Sequence, residues 1–222
     1  MTALPETTTL LVQTPTHGRV LCRPALIHPC RGMLVGFHGY AENADTQMER
    51  LAEITGAETW TLASVQALHR FYHRRSETVV ASWMTHQDRA AAIADNVEYI
   101  NRVVDAVGSD AGLEDPTVIY AGFSQGVAMA FRAAVRGRAR CAGILAVGGD
   151  VPPELLTDPA ARFPAVVLMR GEQDEWYSAE KFEADIAGLE AKGTRLRTIR
   201  DEGGHEWNAT ARAAATDLLA GV

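Results

Sequence analysis

The sequence predicts an α/β fold, with a mostly parallel central sheet and helices on both of its faces. Three observations lead there. Strand-like and helix-like segments alternate from Met33 onward, the pattern of a sheet built by crossover connections. Several strand candidates, such as 32–37 (Gly-Met-Leu-Val-Gly-Phe), are apolar without alternation, as strands covered on both faces must be. Residues 117–131 read as strand, sharp turn and helix, with Gly122-Phe123-Ser124-Gln125-Gly126 at the turn.

Taken in order, residues 7–14 are rich in β-branched side chains and stop at Pro15, so a strand is expected there. Residues 15–18 have turn chemistry, and 19–22 would return as the second strand of an opening hairpin. The apolar run ending at Phe37 leads into His38-Gly39-Tyr40, followed by a helix over 44–54 with Asn43 as its cap. Residues 60–65 form the next strand. Residues 66–87 are irregular, mixing basic and aromatic side chains in a long connection of the kind that often carries function. In 88–107, Ile93, Val97, Ile100, Val104 and Val107 recur at helical spacing, and Gly108 is the expected stop. Beyond the Ser124 turn a helix runs to about residue 136. Strands at 142–147 and 166–169 end in Gly148-Gly149-Asp150 and Gly171-Glu172-Gln173-Asp174. A helix over 178–191 follows, with Gly193 beyond it. The strand at 195–200 is polar enough for a place near the sheet edge. It leads to Gly203-Gly204-His205, and a last helix covers 208–219.

Composition narrows the function. With 222 residues, 47% of them hydrophobic, one core and a single domain over 1–222 are expected. The net charge of -7 argues against nucleic acid as a partner, since phosphates would meet no broad basic surface. The three cysteines, Cys22, Cys30 and Cys141, are odd in number and widely spaced, which fits a reducing, cytoplasmic setting better than a disulfide framework or a zinc site; a Cys22–Cys30 bridge stays open. His69 and His73 stand four apart but lack a third ligand, so no metal is expected. The N-terminal residues lack a basic stretch followed by an apolar one, and no run reaches the ~18 apolar residues of a membrane span, so no signal peptide or stable membrane insertion is expected.

Sites in such sheets gather at the carboxyl ends of the strands. Those ends carry His38-Gly39-Tyr40, Ser124, Asp150, Asp174 and His205. A serine hydroxyl attacks a carbonyl only when a base takes its proton and a third group orients that base. A Gly-x-Ser-x-Gly turn between an apolar strand and a helix is the nucleophile elbow of α/β-hydrolases, whose partners follow in the order Ser, Asp or Glu, His. Ser124, Asp174 and His205 stand in that order, with Asp150, Glu172 and Glu175 as rivals to Asp174. A developing oxyanion needs two N–H donors. Gln125, next after the serine, would supply one and Tyr40 the other, while His38 would brace the loop.

Gly122-Phe123-Ser124-Gln125-Gly126, His38-Gly39, Asp174 in a Gly-x-x-Asp turn and Gly204-His205 together resemble the phospholipase/carboxylesterase family of α/β-hydrolases. That family includes small carboxylesterases, lysophospholipases and acyl-protein thioesterases. The resemblance spans residues 33–207 and implies an α/β-hydrolase fold. It also implies Ser124, Asp174 and His205 as a catalytic triad, with Tyr40 and Gln125 forming the oxyanion hole, and it suggests a monomer or homodimer. The chain departs from the family's common pattern at Val127, at Tyr40-Ala41-Glu42 and at Glu175-Trp176-Tyr177. Its length leaves no room for a large cap domain. The reading is therefore a cofactor-free serine carboxylesterase acting on small esters of short to medium acyl chain. Its open, apolar-walled cleft would be shaped by Phe71, Tyr72, Trp83, Met84, Trp176 and Trp207. A thioesterase or lysophospholipase with the same triad is the near alternative, and a non-catalytic binding protein on this fold is the alternative of another class.

Overall fold

The computed structural model describes residues 7–222. Seven strands form one sheet: β1 (Arg19–Arg23), β2 (Met33–Phe37), β3 (Thr61–Gln66), β6 (Val118–Phe123), β7 (Cys141–Val147), β8 (Ala165–Gly171) and β9 (Leu196–Asp201). Their order across the sheet is β1-β3-β2-β6-β7-β8-β9. Only β1 runs antiparallel to its neighbour, pairing Val20 with Val65. A separate hairpin, β4 (His69–Tyr72) and β5 (Val79–Ser82), stands between β3 and the first long helix. The helices are α1 (Ala44–Ala52), α2 (Arg89–Asp110), α3 (Gln125–Arg136), the single turn α4 (Pro153–Leu156), α5 (Ala179–Ala191) and α6 (Ala209–Ala220). Among the described residues no cap domain is inserted. This is the α/β-hydrolase architecture that the resemblance implies.

The sheet divides the core because successive side chains on a strand point to opposite faces. Met33, Val35 and Phe37 face one cluster, with Ile100 and Val104 of α2, Phe131 of α3 and Leu189 of α5. Leu34, Ile119 and Leu145 face the other, with Leu51 of α1 and Leu218 of α6. Caps set the helix starts. The Asn43 carboxamide oxygen accepts from the Thr46 N–H at 3.0 Å, and Asn208 does the same for Ala211 at 3.2 Å.

Four expectations need correction. Residues 7–14 form no strand: Leu10, Leu11 and Val12 are exposed, and β propensity without a partner ladder makes no sheet. The opening hairpin is therefore absent, and β1 instead closes one edge against β3. Gly108 lies inside α2, which runs on to Asp110, and the left-handed Gly112 (φ 66) follows the helix end. The segment 66–87 is largely a hairpin, and His69 opens a strand, so the helical spacing of His69 and His73 does not exist. The polar strand, β9, does take the edge opposite β1. The three cysteines are free thiols.

Candidate active site

Ser124 sits between the end of β6 and the first turn of α3, at φ 52 and ψ −122. A non-glycine residue held there stores about 1–3 kcal/mol of backbone strain, which persists only where the surroundings enforce it. The enforcement is visible. The Ser124 N–H donates to the Val147 carbonyl at 2.9 Å. The flanking glycines let α3 press on the strand ends: a Cβ on Gly126 would lie 2.1 Å from the Phe37 carbonyl oxygen, and one on Gly122 would lie 2.6 Å from the Gly126 oxygen. The strand–turn–helix thus fits together only with glycine on each side of Phe123-Ser124-Gln125.

His205 and Asp174 reach the same point from the loops after β9 and β8. His205 Nε2 lies 2.9 Å from Ser124 Oγ, and His205 Nδ1 lies 2.8 Å from Asp174 Oδ2. The other oxygen of Asp174 accepts from the Trp176 and Tyr177 N–H groups, both at 2.9 Å, so the turn orients the carboxylate. Arg170 on β8 holds that turn from below, donating to the carbonyls of Tyr177 (2.7 Å) and Asp174 (3.3 Å). Of the rivals to Asp174, Glu172 and Glu175 are exposed, and Asp150 lines the cleft but pairs with Lys181 at 3.3 Å.

Tyr40, on the loop after β2, and Gln125, at the start of α3, line the same cleft. Gln125 is the first residue of α3, so its N–H has no carbonyl one turn back to donate to. On either side of Tyr40 the N–H groups are occupied, Gly39 donating to Glu42 Oε2 at 2.7 Å and Ala41 to the Ala81 carbonyl at 3.1 Å. Among the described residues no acceptor meets the Tyr40 N–H. His38 braces this loop, its Nδ1 donating to the Gly39 carbonyl at 2.7 Å and its Nε2 accepting from the Ala67 N–H at 3.1 Å. Burial pushes its pKa down, in keeping with a neutral ring used for structure.

Several supports lie outside the sequence reading. Glu42 and Arg50 form a bidentate pair, both contacts at 2.6 Å, and Arg50 stacks over the Phe123 ring at 4.2 Å. Phe123 in turn packs against His205, ring centroids 5.0 Å apart. The Gln125 carboxamide accepts from the Trp83 N–H at 2.9 Å and donates to the Met84 carbonyl at 3.1 Å, which ties the segment after β5 to the elbow. Glu at a position three after a His-Gly loop, with an arginine eight residues on, was the only sequence signal for the first of these.

A cleft of about 470 Å³ opens over Ser124. Met84 and Trp176 line it, as expected from the sequence. Four other expected wall residues do not. Trp83 is fully buried, its indole N–H donating to the His38 carbonyl at 2.9 Å, because an aromatic following a strand end can serve the core instead. Trp207 packs with the Leu218 side of the core. Phe71 and Tyr72 are exposed on the β4 strand; Phe71 stacks on Tyr40 at 5.7 Å and so reaches the rim only through it. The walls are also less apolar than expected, since Arg89, Arg132, Lys181, His86 and Asp150 contribute to them. Among the described residues no group of His, Cys, Asp or Glu is arranged to hold a metal ion, and no helix is long and apolar enough to cross a membrane.

Comparison with known proteins bears on the fold and the family. Solved structures with the same fold include the esterase PE8 (22% identity, TM-score 0.72, 93% of this chain and 100% of that one). They also include the Bacillus cereus carboxylesterase (16%, 0.70, 92% and 94%). A third is the Zea mays acyl-protein thioesterase 2 (16%, 0.71, 92% and 99%). A search of curated proteins returns no significant match. The Phospholipase/Carboxylesterase family model matches residues 30–186, which takes in the Tyr40 loop, the Ser124 elbow and the Asp174 turn, and the chain belongs to that α/β-hydrolase family.

Proposed function

We propose that the protein is a serine carboxylesterase that cleaves short- to medium-chain esters through an acyl-enzyme. The observation that carries this reading is the unbroken relay from Ser124 Oγ to His205 (2.9 Å) to Asp174 (2.8 Å), with the serine on a strained turn. In the proposed mechanism His205 Nε2 takes the hydroxyl proton as Ser124 Oγ attacks the ester carbonyl. Asp174 holds the His205 Nδ1–H and stabilises the imidazolium that forms. The Tyr40 and Gln125 N–H groups receive the carbonyl oxygen as it becomes negative. The imidazolium then gives its proton to the leaving alcohol, and water, deprotonated by the same ring, releases the acid.

The cleft favours small acyl groups over long ones. About 470 Å³ lies toward the low end of small-molecule sites, and Arg89, Arg132 and Lys181 interrupt the apolar wall along which a long alkyl tail would lie. That weighs against a lysophospholipid or palmitoyl thioester. The test is hydrolysis of p-nitrophenyl esters from acetate to decanoate by the protein and by Ser124→Ala. Activity should fall by on the order of 10^6 in the variant, as when a triad acts as a unit, and should peak at short chains. Equal rates in both folded proteins, with no labelling of Ser124 by a fluorophosphonate, would refute the enzyme reading. A peak at decanoate would return the lipid alternatives.

A further inference from the structure

The cleft beside Ser124 is cationic in a chain whose net charge is -7. Two of its three basic side chains have carboxylates. Arg132 places Nε 2.8 Å and Nη2 2.7 Å from Glu154 Oε1, and Lys181 Nζ lies 3.3 Å from Asp150. Arg89 differs. Its Nη1 lies 3.5 Å from Met84 Sδ, and among the described residues it has no ion-pair partner. Arg132 Nη1 approaches the same sulfur, also at 3.5 Å, so two guanidinium groups converge on one thioether at the cleft wall. Arg132 is fully buried. Burial lowers its pKa, and the nearby Arg89 charge pushes the same way, against the help of Glu154. Arg89 also opens α2, whose first turn carries no acid and whose Asp88 makes no side-chain cap bond, so the positive end of that helix adds to the field.

Two like charges on one wall, with one carboxylate between them, leave a positive site facing the cleft. A planar guanidinium with free N–H groups matches a carboxylate in shape and charge. We propose that Arg89 is a specificity-determining residue that receives a carboxylate borne by the substrate, so that the preferred substrates are acid esters in place of neutral ones. This rests on the carboxylesterase reading above for the reaction, though not for the binding.

The experiment separates the two. Binding of monomethyl adipate, a monoanionic acid ester, is measured by titration calorimetry to Ser124→Ala and to Ser124→Ala with Arg89→Met. Turnover of mono-p-nitrophenyl adipate is compared with that of p-nitrophenyl hexanoate, of equal chain length, for the native chain, Arg89→Met and Arg89→Lys. The expected results are binding weakened about tenfold or more by Arg89→Met and a native preference for the anionic ester. That preference should collapse in Arg89→Met and be partly kept in Arg89→Lys. Hydrolysis that depends on Ser124, with no monomethyl adipate binding and an ester ratio unmoved by Arg89→Met, would overturn the inference and leave the esterase standing. Arg89-dependent binding without turnover of either ester would overturn the esterase reading and leave the anion site.

Discussion

The Glu42–Arg50 pair offers a test of how the Tyr40 loop is held. Glu42→Gln keeps the shape and an oxygen for the Gly39 N–H but removes the charge facing Arg50. The two side chains are 23% and 16% exposed, between a surface pair worth about 0–1 kcal/mol and a buried pair whose breaking costs about 3–5. With two contacts at 2.6 Å, a loss of about 2 kcal/mol is expected. For a chain of this length that is a fall in Tm of about 4–8 °C. Burial alone would raise the Glu42 pKa, but Arg50 and the Gly39 N–H outweigh it and hold the pKa below its ordinary value. A depressed acid contributes stability above its unfolded pKa and loses it as pH falls through the folded value. The Tm gap should therefore be full at pH 7 and shrink toward pH 3. Losing an oxyanion donor outright costs about 10^2–10^3 in kcat. A loosened donor should cost less, about tenfold in kcat with little change in KM. The assays are thermal melts across pH and steady-state kinetics on p-nitrophenyl butyrate. A lower Tm with unchanged kcat would refute the link from this ion pair to the Tyr40 N–H, and an unchanged Tm would refute the energetics.

Two further outcomes can be checked on the purified chain. Gly126→Ala places a methyl 2.1 Å from the Phe37 carbonyl oxygen, backbone that cannot swing aside, and should cost about 2–3 kcal/mol in urea denaturation; a cost under about 0.5 would show that α3 can lift from the end of β2. Asp185 accepts from the Val151 N–H at 3.0 Å and the Tyr177 hydroxyl at 2.7 Å, and burial pushes its pKa up to about 6. A raised acid favours the fold while protonated, so its contribution is full below about pH 4 and lost as pH rises through 6. Asp185→Asn, which keeps an acceptor oxygen, should be more stable than the native chain at pH 7.5 by about 2 kcal/mol and equal to it near pH 4; a gap that does not change with pH would contradict this.

The parallel sheet was legible because its strands are apolar on both faces, and the helices because their apolar spacing is regular. That Ser124, Asp174 and His205 would come together at one edge of the sheet was legible because chain order and strand ends are local properties, readable residue by residue. The side chains around the cleft were not. Trp83 and Met84 are neighbours in sequence, yet one is core and the other is wall. Phe71 and Tyr72 look like pocket aromatics until β4 and β5 pair and turn them outward. Periodicity gives no information on such positions, where direction depends on what packs opposite.

The chain's own pattern determined which strands would be buried, where the sharp turn would fall and which residue types would meet at the carboxyl edge. Those follow from backbone sterics and hydrophobic periodicity, which act within a few residues. Tertiary structure alone decided that residues 7–14 form no ladder with any described residue, that a hairpin clamps the His38–Glu42 loop, and that Arg89 and Arg132 converge on Met84. The first is the lack of a partner, the clamp joins Glu42 to Ala81, and Arg132 reaches Met84 across 48 residues of chain. The charge of the cleft belongs to that second class, because the sum over the chain is negative while the packing brings three of its basic side chains to one place.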